Sequence, residues 1–173
     1  MSIEAFPHRT ILVGTDGSDS ASLAVARAAA LARSMGARLV VVCAFDRRDD
    51  LRPQTTLGSL DPVTRRGRHS TGNEEHVPGE LAWAETEAGR AEEIALQAAQ
   101  SARDAGVEHV EARAVPGPPA EALLTEGESL GADLVVVGSK GMRSWSRFLL
   151  GSVPNAVSHH AQCDVLIVRT TDR

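Results

Sequence analysis

Short runs of apolar, mostly β-branched residues alternate along the chain with longer stretches in which apolar residues recur at helical spacing. Four runs have the apolar character of buried strands: residues 10–15 (TILVGT), 39–45 (LVVVCAF), 133–137 (DLVVV) and 164–169 (DVLIVR). A fifth run, 107–115 (VEHVEARAV), alternates apolar with polar residues, which also indicates a strand. The pattern therefore predicts five strands.

Four stretches between these runs have the spacing or composition of helices: Ser20–Met35, Glu80–Asp104, Ala120–Leu130 and a segment that begins at Val153. A helix thus separates each strand from the next. Parallel neighbours need such a crossover, so the order of elements predicts a parallel sheet covered on both faces. We expect a single α/β domain over residues 1–173, built on one open five-stranded parallel sheet with helices on both faces.

One stretch, about Asp46–Gly79, interrupts this pattern. It is charged and turn-rich, contains three prolines and has no apolar periodicity. Because it is too long for an ordinary connection, we interpret it as an insertion into the domain. Its composition favours a solvated, flexible loop, and a partner-binding segment or a lid are the alternatives.

Composition and charge exclude several classes of protein. Hydrophobic residues make up 42% and charged residues 24% of the chain, which is typical of a globular protein, and the net charge is −5. A general nucleic-acid binder is usually basic, so that class is disfavoured. The apolar runs are far shorter than the roughly 18 residues of a membrane helix, and no secretory signal is visible. Two cysteines cannot form a disulfide framework. We expect a cytoplasmic protein with neither a membrane nor a nucleic-acid partner.

Two strands end in loops of small and polar residues. The first strand runs into residues 14–18 (GTDGS), and the fourth into residues 138–141 (GSKG). Ligands of open parallel sheets bind at the carboxyl ends of the strands, where the strand order reverses. If that reversal falls between these two strands, both loops flank one crevice. Neither loop matches the GxxxxGK[ST] pattern of P-loop hydrolases or the GxGxxG pattern of dinucleotide-binding enzymes.

The loop after the fourth strand has the features of a phosphate site. Gly138 and Gly141 lack Cβ atoms, so backbone N–H groups can approach an anion closely. Gly151 and Ser152 follow, just ahead of a helix whose amino end favours negative charge. Each residue alone is equally well explained as a turn or as a helix cap. The full spacing after an apolar strand is hard to explain by chance and predicts phosphate binding.

The two ends of the chain resemble the universal stress protein family. The segment VGTDGSDSASLAVARAAALA is similar to its opening strand and helix, and GSKGMRSWSRFLLGSVPNAVSHHAQCDVLIVR resembles the closing signature G-x2-G-x9-G-[ST] of its nucleotide-binding branch. The resemblance covers nearly the whole chain except about Asp46–Gly79. It implies a Rossmann-like fold of the adenine nucleotide alpha hydrolase type, with strand order 3-2-1-4-5.

The resemblance also implies a set of binding residues. Phosphates would be held at the glycines of the signature and at Ser152, with Ser139 and Val153 contributing backbone amides. Thr15 and Asp16 would contact the nucleoside, and Ala44 would meet adenine through its backbone. The alternative for Asp16 is a simple helix-terminal charge. The complete predicted set is Gly14, Thr15, Asp16, Ala44, Val137, Gly138, Ser139, Gly141, Arg143, Gly151, Ser152 and Val153.

The expected ligand is an adenine nucleotide. The loop from Gly138 to Ser152, called the glycine loop below, carries three positive charges in an otherwise acidic protein, at Lys140, Arg143 and Arg147. At least one of them is expected to neutralise phosphate. This favours ATP, with or without Mg²⁺, and cyclic AMP is the alternative that the resemblance implies for some members. A slow ATP hydrolase is a further alternative, but no convincing base beyond Asp16 is visible, so we expect no efficient enzyme. The six histidines show no metal-binding spacing.

The last strand predicts how the chain assembles. Residues 165–168 are apolar throughout, which leaves an aggregation-prone edge if the strand stays unpaired. Pairing with a second copy across a two-fold axis would cover it. The resemblance implies the same contact, so we expect a homodimer through Asp164–Arg169 that acts as a stress-response module.

Overall fold

The computed structural model describes residues 9–46, 86–139 and 150–169. Strands and helices alternate through them: β1 Thr10–Gly14, α1 Asp19–Met35, β2 Arg38–Phe45, α2 Glu87–Asp104, β3 Val110–Pro116, α3 Pro119–Leu130, β4 Leu134–Gly138, α4 Ser152–His160 and β5 Asp164–Val168. The strands form one parallel sheet in the order β3-β2-β1-β4-β5, which confirms the predicted fold and strand order. Apart from Asp46, the predicted insertion lies outside the described residues.

Two apolar layers cover the sheet. Side chains alternate between its faces, so Ile11 and Val13 pack with α1 and α2, whereas Leu12 packs with α3 and α4. All three are fully buried. The apolar runs of the sequence are therefore central strands with a helix layer on each side. None of the helices in the described ranges combines the length and the apolar character that a bilayer crossing requires.

Helix α1 ends at Met35 as predicted and begins at Asp19, one residue before the predicted Ser20, whereas α2 ends at Asp104 as predicted but begins much later than predicted. Ser18 caps α1 by accepting a hydrogen bond from Ala21 N, and Gly36 ends the helix in the left-handed conformation. Thr86 caps α2 in the same way, by accepting from Gly89 N at 3.0 Å. Because Thr86 has an extended backbone, α2 begins at Glu87, and the predicted start at Glu80 was wrong.

Helix α2 faces the sheet with small residues. Its buried residues are Ala88, Gly89, Ala91, Ala95, Ala99 and Ala102. Side chains this short let a helix lie close to a sheet. The chain then passes through Val107, whose N–H bonds to the carbonyl of Ala102 at 3.2 Å. This closing turn belongs to the end of the helix, so β3 begins at Val110 and not at residue 107 as predicted.

Asp133 joins β4 to the amino end of β1. Its Oδ2 accepts hydrogen bonds from Arg9 N at 2.8 Å and from Thr10 N at 2.9 Å. Its own N–H donates to the carbonyl of Thr10 at 3.0 Å. The side chain of Asp133 therefore fixes the start of β1, at the end of the sheet opposite to the loops that follow β1 and β4.

The two edges of the sheet differ in character. Edge strand β3 carries Glu111 and Arg113, which form a network of ion pairs with Arg38 of β2 and Glu126 of α3 at 2.8–3.2 Å. Hydrogen bonding to Arg38, with a second bond from Arg113, lowers the pKa of Glu111. Edge strand β5 is apolar from Val165 to Val168. Charged side chains on an edge discourage pairing with another strand; β3 carries two of them in its interior, whereas β5 has only Asp164 at its first position.

Candidate functional site

The carboxyl ends of β1 and β4 lie side by side. Residues 11–13 of β1 pair with residues 134–136 of β4, so the loops that begin at Gly14 and Gly138 leave the sheet as neighbours. Helix α1 lies on one face of the sheet, and α4 contributes Val157 to the core of the other face. The strand order thus reverses between β1 and β4, as predicted, and the two loops flank one crevice.

A backbone hydrogen bond closes the base of the connection between β4 and α4. Gly151 N donates to the carbonyl of Ser139 at 3.0 Å, and Ser139 N donates to the carbonyl of Val168 on β5 at 2.8 Å. Gly138 and Ser139 are thereby brought next to Gly151, although they lie far apart in the sequence. The first and last parts of the predicted phosphate motif therefore meet at one point.

The first turn of α4 presents backbone amides at this point. The helix begins at Ser152, one residue earlier than predicted, and Gly151 is its N-cap. Gly151 has no side chain that could cap the helix, and the first intrahelical bond runs from Asn155 N to Gly151 O at 3.1 Å. Since Pro154 has no N–H, the amides of Ser152 and Val153 are the donors of this turn. A helix amino end of this kind attracts anions.

The loop after β1 is held by its own side chains. Thr15 Oγ1 accepts from Gly17 N at 3.2 Å, and Asp16 Oδ1 accepts from Ser18 N at 3.0 Å and from Ser18 Oγ at 2.6 Å. Thr15 N donates to the carbonyl of Val42, which ties the loop to β2. The carboxylate of Asp16 thus shapes the loop. Nothing in the sequence pattern predicted this contact between Asp16 and Ser18.

Three predicted residues have clear structural roles. A Cβ at Gly14 would lie 2.9 Å from Leu123 Cδ1, so the glycine makes room for α3. Val137 is 3% exposed in the core beneath α3 and α4, so a contact with a ligand would come from its backbone. Ala44 is half-buried and pairs with Val115 of β3. Their roles toward a ligand stay predictions.

Two predicted residues lie outside the described part of the chain. They are Gly141 and Arg143, and the same holds for the neighbouring cations Lys140 and Arg147. Over residues 9–46, 86–139 and 150–169, histidine, cysteine, aspartate and glutamate side chains form no cluster of three that could hold a metal ion. In the described part of the candidate site, the groups available to a ligand include the backbone amides of Ser152 and Val153 and the side chains of Thr15 and Asp16.

A buried thiol borders the site. Cys43 is 3% exposed, and burial, together with the carboxylate of Asp16, raises the pKa of its thiol to about 11. The thiolate is the reactive form of cysteine, so a raised pKa makes Cys43 inert.

Alkylation should show this directly. At pH 8 we expect Cys43 in the folded protein to react with iodoacetamide on the order of 100-fold more slowly than free cysteine, because very little thiolate is present. Peptide mass spectrometry after timed quenching measures the rate. The same reaction in urea is the control and should be fast. Rapid labelling of the folded protein would contradict the buried, protonated thiol.

The chain is similar to known proteins over almost its whole length. A sequence profile described as the universal stress protein family matches residues 7–169. The universal stress protein Rv1636 of Mycobacterium tuberculosis (strain H37Rv) is 35% identical over 164 residues, covering 95% of this chain and 98% of its own. A crystal structure of a universal stress protein in complex with cAMP is 30% identical, with a TM-score of 0.63, and the match covers 95% of this chain and 99% of the other. The putative universal stress protein SAUSA300_1656 of Staphylococcus aureus (strain USA300) is 30% identical over 170 residues, covering 95% of this chain and 86% of its own.

Proposed function

Because the chain belongs to the universal stress protein family, we propose that it binds an adenine nucleotide in the crevice between the carboxyl ends of β1 and β4. The observation that carries the proposal is the hydrogen bond from Gly151 N to Ser139 O. It sets the amides of Ser152 and Val153 beside the end of β4, where a phosphate would accept their hydrogen bonds. Thr15 and Asp16 follow the neighbouring strand, within the same crevice.

Two adenine nucleotides are candidate ligands for this site. The cations of the glycine loop favour ATP, with or without Mg²⁺, since a chain of phosphates needs more positive charge than two backbone amides supply. Cyclic AMP is the second candidate, because a relative at 30% identity was solved in complex with cAMP. Cyclic AMP carries a single negative charge on its phosphate, and the amino end of α4 can stabilise that charge without the cations of the glycine loop.

We propose that the protein acts as a binding module in the stress response and not as an efficient enzyme. Asp16 Oδ1 already accepts two hydrogen bonds from Ser18, which suits an orienting role better than the removal of a proton. A slow hydrolase stays the alternative, and release of phosphate that requires metal and disappears in Asp16→Ala would favour it. The apolar composition of edge strand β5, whose residues 165–167 are half-buried, supports a homodimer through that strand, and sedimentation of the purified chain tests it.

Calorimetric titration of nucleotide-stripped protein tests the proposed function. Mg-ATP, cyclic AMP and Mg-GTP are titrated separately, and GTP serves as the control for recognition of the base. We expect saturable binding of at least one adenine ligand at one site per chain. Tight cyclic AMP with weak ATP would identify a cyclic-nucleotide binding module. Heat changes no larger than those of buffer for both adenine ligands would overturn the proposal.

A further inference from the structure

We propose that Ile94 of α2 is a positioning residue that holds the loop of residues 15–18 in its binding shape, an inference that rests on the proposed function. Ile94 belongs to no binding motif and lies on α2, whereas the residues it would position lie in the loop between β1 and α1. Its importance comes from what its side chain touches. The loop is the part of the crevice that carries Thr15 and Asp16.

The contact is with Gly17. This glycine has a φ of 76°, and a Cβ placed on it would lie 3.4 Å from three carbons of Ile94, namely Cγ1, Cγ2 and Cδ1. The face of Gly17 on which a Cβ would stand is therefore turned toward the branched side chain of Ile94 on α2. A side chain at position 17 is disfavoured by the positive φ, whereas a Cβ there would make only ordinary van der Waals contacts with Ile94.

Apart from the Ser18 cap, which joins the end of the loop to α1, the hydrogen bonds described in the loop act within it or at its start. Those of Thr15 Oγ1 and Asp16 Oδ1 join loop residues to each other, so they would move with the loop. The bond from Thr15 N to Val42 O fixes only the point where the loop leaves β1. Ile94 contacts the loop two residues further on, at its turn. It thus limits how far the segment between β1 and α1 can swing.

Ile94 is itself held in place. It is half-buried and packs in a small apolar cluster with Cys43 and Phe45 of β2 and with Ala91 and Ala95 of its own helix. The cluster lies beneath the carboxyl end of β2, beside Ala44. The contact from Ile94 to Gly17 is therefore backed by the sheet. A loop supported in this way loses less conformational freedom on binding, and affinity rises accordingly.

A set of single substitutions separates positioning from simple core filling. Ile94→Ala removes all three carbons that face Gly17, whereas Ile94→Val keeps Cγ1 and Cγ2 and removes only Cδ1. Val107→Ala is the matched control, since Val107 is 4% exposed and follows the opposite end of α2. Leu96→Ala, at a side chain that is 50% exposed, is the surface control on the same helix.

Affinity for Mg-ATP and cyclic AMP is measured by calorimetry at a temperature where every variant is folded. We expect Ile94→Ala to weaken binding by about five- to tenfold and Ile94→Val to stay within about twofold of the unsubstituted protein. Val107→Ala and Leu96→Ala should bind normally. Normal affinity in Ile94→Ala would overturn the inference, as would an equal weakening in a Val107→Ala protein of the same melting temperature.

Hydrogen exchange of the free protein tests the inference apart from the proposed function. Ile94→Ala should speed exchange at the amides of Gly17 and Ser18 and leave the interior of α1 unchanged, because loosening is confined to the loop. Unchanged exchange at both amides would overturn the inference even if nucleotides bind. If the unsubstituted protein binds no adenine nucleotide while these amides respond as expected, the proposed function fails and the role of Ile94 in holding the loop stands.

Discussion

Replacing Gly151 by valine is expected to weaken adenine-nucleotide binding by about 100-fold or more and to leave the fold intact, a change of about 2.7 kcal/mol in binding free energy. The N-cap position explains the effect. A side chain at an N-cap extends over the first-turn amides, which is why serine or aspartate there can accept their hydrogen bonds. The branched methyl groups of valine would cover the amides of Ser152 and Val153 and offer them no acceptor.

The backbone tolerates this substitution. Gly151 has φ −61° and ψ 161°, values that any residue adopts. A Cβ would lie 3.4 Å from Ser139 O and 3.5 Å from Pro154 Cδ, which are ordinary contacts. Gly151→Ala is the matched control and should lose far less affinity than Gly151→Val, because its methyl group does not reach the amides. Calorimetry gives the affinities, and thermal unfolding verifies the fold. Undiminished affinity in a folded Gly151→Val protein would refute the placement of phosphate at α4.

The largest effect on stability is expected for Asp133→Ala, which should lower the free energy of unfolding by about 2–3 kcal/mol. The carboxylate accepts from two backbone N–H groups at the entry of β1, at 2.8 and 2.9 Å. Hydrogen bonds to a charged group are stronger than neutral ones, and removal of the acceptor leaves the partly buried N–H of Thr10 without this partner.

Urea denaturation measures this loss. Asp133→Asn keeps a side-chain oxygen and removes the charge, so we expect it to retain about half of the stabilisation. Nucleotide affinity should be the same in all three proteins, because Asp133 lies at the end of the sheet opposite to the crevice. A loss below about 0.5 kcal/mol in Asp133→Ala, the range of ordinary surface substitutions, would show that the two hydrogen bonds are unimportant in solution.

The fold was predictable because its signals are local. Apolar runs marked the strands, and helical spacing between them required parallel crossovers. The errors fall where a single side chain or a tertiary contact decides a boundary. Thr86 stops the extension of α2 toward residue 80, and the turn through Val107 delays the start of β3. Neither event changes the apolar pattern, so the sequence alone does not reveal it.

The candidate site was predictable only where it follows a motif. The glycines and Ser152 were marked by their spacing, and a backbone hydrogen bond joins Gly151 to Ser139, while their role toward a ligand stays a prediction. Ile94 and Asp133 carried no such signal. Each acts on a residue that is distant in the sequence, Gly17 for the first and Thr10 for the second. Contacts of this kind depend on which elements become neighbours, and only the folded chain shows that.

The difference between the two edges of the sheet would limit how many copies of the chain can assemble through it. In the proposed dimer, the two β5 strands would pair at the two-fold axis and cover each other's apolar edge. Both outer edges of the joined sheet would then be β3 strands. Glu111 and Arg113 line those borders and are engaged with Arg38 and Glu126. A third copy would have to add its strand beside these charges, so in the proposed dimer the charged borders would prevent further growth of the sheet beyond two copies.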